Sequence, residues 1–267
     1  LLMNINKNKN WGLYCIMNNY IEAFKYIFYY KKEFNINQNY LFMNSCFSGK
    51  LSISKWMYNN FDKIDYSLIN TDNFLLVCRT LSLNMINWFY NLNSNIDLNF
   101  DEGYILKFFC TLNKYNLVSW VLKKNIIDTR IDNFICYKYS CYNKNLDMLK
   151  LLYNNNNNNY DIDFTMDNRY LFKLASNNND TYTFKWMYFK VNNLDLTEFN
   201  YLYFRNAIVN DNLNLLLFLI EKSKIRDLNF NNNYLIKTII YYRMIDTLKY
   251  VLIKFDNIDV VFDSNFA

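Results

Sequence analysis

Bulky residues recur along the chain at a nearly fixed spacing: Tyr26, Trp56, Trp88, Trp120, Leu151, Trp186, Phe218 and Tyr250, separated by 30, 32, 32, 31, 35, 32 and 32 positions. A constant period between 20 and 50 residues marks a repeat architecture. A second aromatic row lies 14 to 17 positions upstream, at Tyr40, Phe74, Tyr104, Phe134, Tyr170, Tyr201 and Tyr234, and marks the start of a helix in each unit. Asn39, Asn73, Asn133 and Asn233 stand where a side-chain oxygen could cap that helix. Between the two rows, apolar residues follow helical spacing, as in Tyr40, Leu41, Phe42, Cys46, then Leu51, Ile53, Trp56 and Met57, with Ser48 and Gly49 interrupting them.

After each anchor an apolar residue precedes Asp or Asn, at Phe34-Asn35, Ile64-Asp65, Ile96-Asp97, Ile127-Asp128, Leu194-Asp195 and Ile258-Asp259, which reads as a short extended segment entering a turn. The predicted unit is helix, turn, helix and extended loop. Helices of about ten residues are marginal alone, so each unit must stack on its neighbours. The predicted fold is all-α with short extended loops, a single solenoid domain over residues 1–267 with about eight helix-turn-helix repeats. The 35-residue interval holds the run Asn154 to Asn159, a loop insertion, and Asn265-Phe266 falls where a ninth repeat would begin. Val260, Val261 and Phe262 lack the polar outer face of a terminal cap, so the array is expected to continue beyond the sequence given.

The unit at residues 39–58, NYLFMNSCFSGKLSISKWMY, resembles the ankyrin repeat. Phe42, Ser45-Cys46, Gly49, Leu51, Ile53 and Lys55-Trp56-Met57 fall on that family's Leu, small-small and Gly-x-Leu-x-Ile-Val-Lys-Leu-Leu positions. The resemblance spans nearly the whole chain and is nearest to the divergent repeats of large DNA viruses with AT-rich genomes. It implies a noncatalytic, intracellular protein that presents a concave groove to a partner protein. The family's Thr-Pro is missing throughout, and the helix pattern slips at Asn116-Leu117-Val118.

Composition narrows the chemistry. There is no histidine, no proline and three glycines, which removes the usual general base, most zinc and haem ligand sets and any glycine-rich phosphate loop. Asparagine fills 49 positions and can replace glycine in left-handed turns. A net charge of +5 over 267 residues is too mild for a dedicated nucleic-acid footprint, and no run of about 18 uncharged apolar residues suggests a membrane span. Cys46, Cys78, Cys110 and Cys141 share one slot ten residues before the anchor and read as small core residues, too far apart to pair; Cys15 and Cys136 add no paired spacing. Free thiols suit a reducing, cytoplasmic setting. No cofactor or metal is expected, and the carboxylates at Asp101-Glu102 and Asp161/Asp163 read as turn formers.

One pattern points to a binding surface. Thirteen residues before the anchor stand Lys107, Lys138, Lys173, Arg205 and Lys237, in five consecutive units. These cations either tie neighbouring repeats together or form a basic stripe that steers an acidic partner segment, with Phe108, Tyr139, Asn206 and Thr238 supplying contacts beside them. A nucleic-acid-binding helical repeat that uses the same ladder is the alternative.

Overall fold

The structure, a computed structural model, describes residues 11–30, 37–62, 64–93, 95–124, 129–155, 162–191, 194–223 and 230–254. Among them are sixteen α-helices and no strand. In chain order they are α1 (Trp11–Met17), α2 (Ile21–Tyr30), α3 (Gln38–Phe47), α4 (Leu51–Asn60), α5 (Thr71–Cys78), α6 (Leu83–Leu92), α7 (Phe100–Thr111) and α8 (Tyr115–Lys124). There follow α9 (Ile131–Tyr142), α10 (Leu146–Asn154), α11 (Met166–Asn177), α12 (Thr181–Tyr188), α13 (Glu198–Val209), α14 (Leu213–Lys222), α15 (Phe230–Tyr241) and α16 (Ile245–Lys254). The chain divides into two compact units, residues 1–109 with 114–127 and residues 110–113 with 128–267.

Successive helices pair as hairpins: α1 with α2, α3 with α4 and α5 with α6 in the first unit, and α9 with α10 through α15 with α16 in the second. Within the first unit α3 packs on α1 and α5. Within the second, α9, α11, α13 and α15 pack in series.

A left-handed residue closes the first helix of every pair, seven positions before each anchor: Asn19, Gly49, Leu81, Asn113, Lys144, Asn179, Asp211 and Arg243, with φ from 51° at Asp211 to 70° at Gly49. Around most of them the backbone makes the paired bonds of a Schellman cap, for example Asp180 N–H to the Ala175 carbonyl (2.9 Å) and Asn179 N–H to the Ser176 carbonyl (3.2 Å). Asparagine does replace glycine here, at Asn19, Asn113 and Asn179. The next residue then caps the second helix: the side chains of Ser82, Asn145, Asp180 and Asn212 each accept a first-turn N–H. The slip read at Asn116-Leu117-Val118 leaves α8 intact, with Leu117, Val118, Val121 and Leu122 all buried.

The anchors are not the innermost residues. The positions immediately after them, Met57, Phe89, Val121, Leu152, Met187, Leu219 and Val251, are fully buried. Most anchors are half-buried because they lie across the gap between hairpins. Each meets a ring two places after the preceding anchor, edge to face: Trp56 on Phe28 (5.2 Å between centroids), Trp88 on Tyr58 (6.0 Å), Trp120 on Tyr90 (5.4 Å), Trp186 on Tyr153 (5.3 Å) and Phe218 on Tyr188 (5.2 Å). Interplanar angles of 84° to 88° suit the quadrupoles of aromatic rings.

The segments between hairpins form turns rather than paired strands. Asp65, Asp97, Asp163 and Asp195 each accept the N–H two residues on, at 2.8 to 2.9 Å, while Ile64, Ile96, Ile162 and Leu194 are buried beside them. Phe34-Asn35, Ile127-Asp128, Ile258-Asp259, Asp161, most of the Asn154–Asn159 run and the segment 260–266 lie outside the described residues.

The helix caps also differ from expectation. Asn37 and Asn70 cap α3 and α5, while Asn39 and Asn73 already lie inside them. Asn39 instead reaches the neighbouring hairpin, where its oxygen accepts the Asp65 N–H at 2.9 Å. Asn133 lies in a left-handed turn, and the Asn233 side chain is outside the described set.

Lysine in a left-handed position costs roughly 1 kcal/mol relative to glycine, partly offset by glycine's freedom in the unfolded chain. Lys144→Gly is therefore expected to raise stability by about 0.5 kcal/mol in denaturant melts. Gly49→Ala should lower it by about 1 kcal/mol, since φ is 70° there and a new Cβ would sit 3.4 Å from Thr80 Cβ.

Candidate partner-binding face

The first helices of the second unit do not begin conventionally. Three consecutive residues are left-handed at Asp132-Asn133-Phe134 and again at Asp167-Asn168-Arg169, and Phe199 and Tyr201 hold the same conformation one repeat later. Asp101-Glu102-Gly103 forms the same turn in α7. Each turn is closed by a bond to the carbonyl four residues back, such as Arg169 N–H to Thr165 at 3.1 Å and Tyr201 N–H to Thr197 at 3.2 Å. A side chain in this region costs about 1–2 kcal/mol, so neighbouring groups must hold the turns in place.

The basic ladder supplies part of that support. Lys138 Nζ lies 2.6 Å from Asp167 Oδ2, in the left-handed turn of the next hairpin, and 5.1 Å from the centre of the Tyr170 ring. Lys173 Nζ sits 3.6 Å over the ring of Phe199 in the turn after that. Arg205 donates to the Phe199 carbonyl at 3.4 Å, and its Nε is buried without a hydrogen-bond partner among the described residues. Lys237 is half-buried on α15. Lys107, also half-buried, belongs to the first unit with Phe108, whose ring lies parallel to Tyr104 at 6.1 Å.

The flanking residues divide. Tyr139 is half-buried on the outward side of α9. Asn206 turns back to donate to Ser176 Oγ at 2.9 Å, and Thr238 is buried, so neither is presented as a surface contact. Tyr139 instead joins a groove of ≈ 220 Å³ between α9 and α11, lined by Ile135, Lys138, Tyr142, Tyr170 and Leu174 as well. Tyr142 and Tyr170 are exposed rims, and no carboxylate lines this groove. The sequence does not single out Ile135, Tyr142 or Leu174, and it marks Tyr170 only as a helix start, not as part of a binding surface. Their signal was helical: 135, 138, 139 and 142 follow one face of α9, and 170 and 174 follow the same face of α11.

At the other end of these helices, Asp180 lies between two wider concavities near the hairpin turns, both also bordered by Lys144 and Tyr182. Its Oδ1 accepts the Thr183 N–H at 3.1 Å, and its Oδ2 is buried without a hydrogen-bond partner among the described residues.

The cysteines are buried, as expected for packing residues. Burial pushes the thiol of Cys46 up to about 12 and raises those of Cys78 and Cys141. The Cys110 thiol, on α7, is raised well above its ordinary range, first by its interaction with the Cys136 thiol on α9 and then by burial. Among the described residues no three His, Cys, Asp or Glu side chains gather to hold a metal, and no helix is long and apolar enough to cross a membrane. No protein-family model, curated protein or solved structure matches this chain.

The hydrogen bond from Lys138 holds the Asp167 carboxyl below its ordinary range, with smaller help from Asn133 and Lys173. The lowered value means that the bridge favours the folded state above the ordinary carboxylate pKa and is lost as pH falls through Asp167's own value. Lys138→Ala should move the Asp167 titration up toward the ordinary carboxylate range, read by carboxyl-carbon NMR.

Proposed function

We propose that the chain is a noncatalytic, ankyrin-like interaction scaffold that holds an acidic segment of a partner protein on the outward face of its first helices. The observation that carries the reading is the composition of this face in the second unit. Lys138, Lys173, Arg205 and Lys237 recur along it, tyrosines and aliphatic residues fill the α9–α11 groove, and carboxylates are confined to the turns at the helix starts. Such a surface offers a desolvated apolar anchor point beside positive charge, the combination that gives both affinity and choice of partner.

A nucleic-acid interface is the poorer reading. A nucleic-acid backbone calls for a dense run of cations, whereas the chain carries a net charge of only +5 over 267 residues and this face offers one basic residue per repeat. Six buried free thiols fit an intracellular setting.

The same geometry makes charge reversal of the ladder a poor test, because the cations also support the left-handed turns. Selection of a displayed random-peptide library on the full chain is cleaner. Acidic segments carrying one bulky apolar residue should be enriched, and Tyr142→Ala with Tyr139→Ala should weaken the selected peptides at least tenfold without changing the melting temperature. Absence of enrichment, together with oligonucleotide binding whose log K falls by several units per log unit of salt, would establish the nucleic-acid reading instead.

A further inference from the structure

The left-handed turns carry a second recurring slot, and in one repeat its occupant has changed. Nineteen positions before the anchor stand Asp101, Asp132 and Asp167, each the first left-handed residue of its turn. In the next unit that position is Phe199, left-handed as well at φ 54°. Lys138 finds Asp167 in this slot, 2.6 Å away. Lys173, its equivalent one repeat on, lies 3.6 Å over the Phe199 ring where a carboxylate would stand.

Positive charge gathers around the same residue. The turn at the start of α11 adds Arg169, whose guanidinium carbon is 5.9 Å from the centre of the Phe199 ring, and Arg205 Nη2 donates to the Phe199 carbonyl at 3.4 Å. All three cationic side chains are half-buried, which holds their stems without enclosing them. Arg205 Nε is buried without a hydrogen-bond partner among the described residues. Tyr203, in electrostatic reach of Arg169, brings no compensating charge, because burial pushes its phenol up to about 12 and it stays neutral. Among the described residues, the carboxylates in reach are Asp167 and Asp195, and both are engaged. Lys138 holds Asp167, and the Thr197 N–H and Oγ1 donate to Asp195 Oδ1 at 2.8 and 2.7 Å. Like charges brought together in a half-buried setting raise the energy of the site until an anion joins them.

We propose that Arg169, Lys173 and Arg205 form an anion site around Phe199, where a phosphorylated Ser, Thr or Tyr of the partner segment takes the place that aspartate fills in the other turns. A phosphate monoester carries nearly two negative charges and three acceptor oxygens, and guanidinium groups engage it through paired bonds. A carboxylate offers one charge and a phosphodiester one, so each satisfies the cluster less well. This inference rests on the partner-binding reading and names the charged group that the segment carries.

Phenyl phosphate and benzoate, titrated separately into the full chain at matched ionic strength and read by ligand-observed NMR, test it. At about pH 7.5 phenyl phosphate should bind at least tenfold more tightly than benzoate, and its affinity should fall as pH is lowered through about 6, where the phosphate gains a second proton. Phe199→Asp returns the carboxylate to its slot, and aspartate tolerates a left-handed backbone better than phenylalanine. Phosphate affinity should therefore drop at least tenfold in that variant with no loss of melting temperature. Lys173→Met should weaken binding as much and replaces Phe199→Asp if the latter fails to fold. Lys185→Met, which removes a lysine 5.2 Å over the Phe218 ring on a second helix, should leave the affinity unchanged. Equal affinity for the two probes, no binding of phenyl phosphate, or tighter binding of an oligonucleotide overturns the proposal. Enrichment of unphosphorylated acidic peptides alongside a null result with phenyl phosphate removes this site and leaves the partner reading standing, whereas phosphate binding without any peptide enrichment does the reverse.

Discussion

Helices of seven to twelve residues cannot stand alone in water, so every hairpin here depends on the side chains that cross to its neighbour. Those crossings are made above all by one repeated aromatic contact, in which an anchor ring meets the edge or face of a ring on the preceding second helix. The residue after the anchor closes the hairpin's own core, and the anchor closes the gap between hairpins. Because the two tasks fall on adjacent positions of one helix, a fault at either slot is felt in two places.

Asparagine does much of the polar work around this apolar frame. It takes the left-handed position in several hairpin turns, and its amide reaches from one repeat to the next. Asn145 donates to Asn113 at 2.6 Å, and Asn212 donates to the Asn179 side-chain oxygen. Asn210 donates to the Asn177 carbonyl at 3.1 Å, at the end of the preceding first helix. Each such bond satisfies a helix-end carbonyl or a turn side chain that would otherwise need water, so the excess of asparagine also serves as a set of caps.

The period was legible because large rings are costly to expose and recur at most hairpin contacts, and the cysteine slot was legible because the same apolar residue type returns ten positions before four successive anchors. The caps were displaced by a few residues, since Asn-rich stretches such as Asn35, Asn37 and Asn39 offer several equivalent candidates and sequence alone does not rank them. The left-handed turns at Asp132-Asn133-Phe134 and Asp167-Asn168-Arg169 left no readable mark. Neither contains glycine, and they are held by tertiary contacts such as Lys138 with Asp167. The same coupling explains why the ladder was visible as a pattern while its structural duty was not: charge recurrence shows in sequence, but the partner of each charge lies a repeat away. The groove was half-visible, through Lys138 and Tyr139, because its lining is divided between two different helices.

The account rests on those ring contacts being energetically coupled and not merely adjacent. A double-mutant cycle on Tyr153 and Trp186, each replaced by leucine singly and together, measures this directly by chemical denaturation. A coupling of about 0.5–1.5 kcal/mol is predicted for an edge-to-face pair at 5.3 Å. Strictly additive effects, with a coupling indistinguishable from zero, would contradict the view that neighbouring hairpins are held together through these rings.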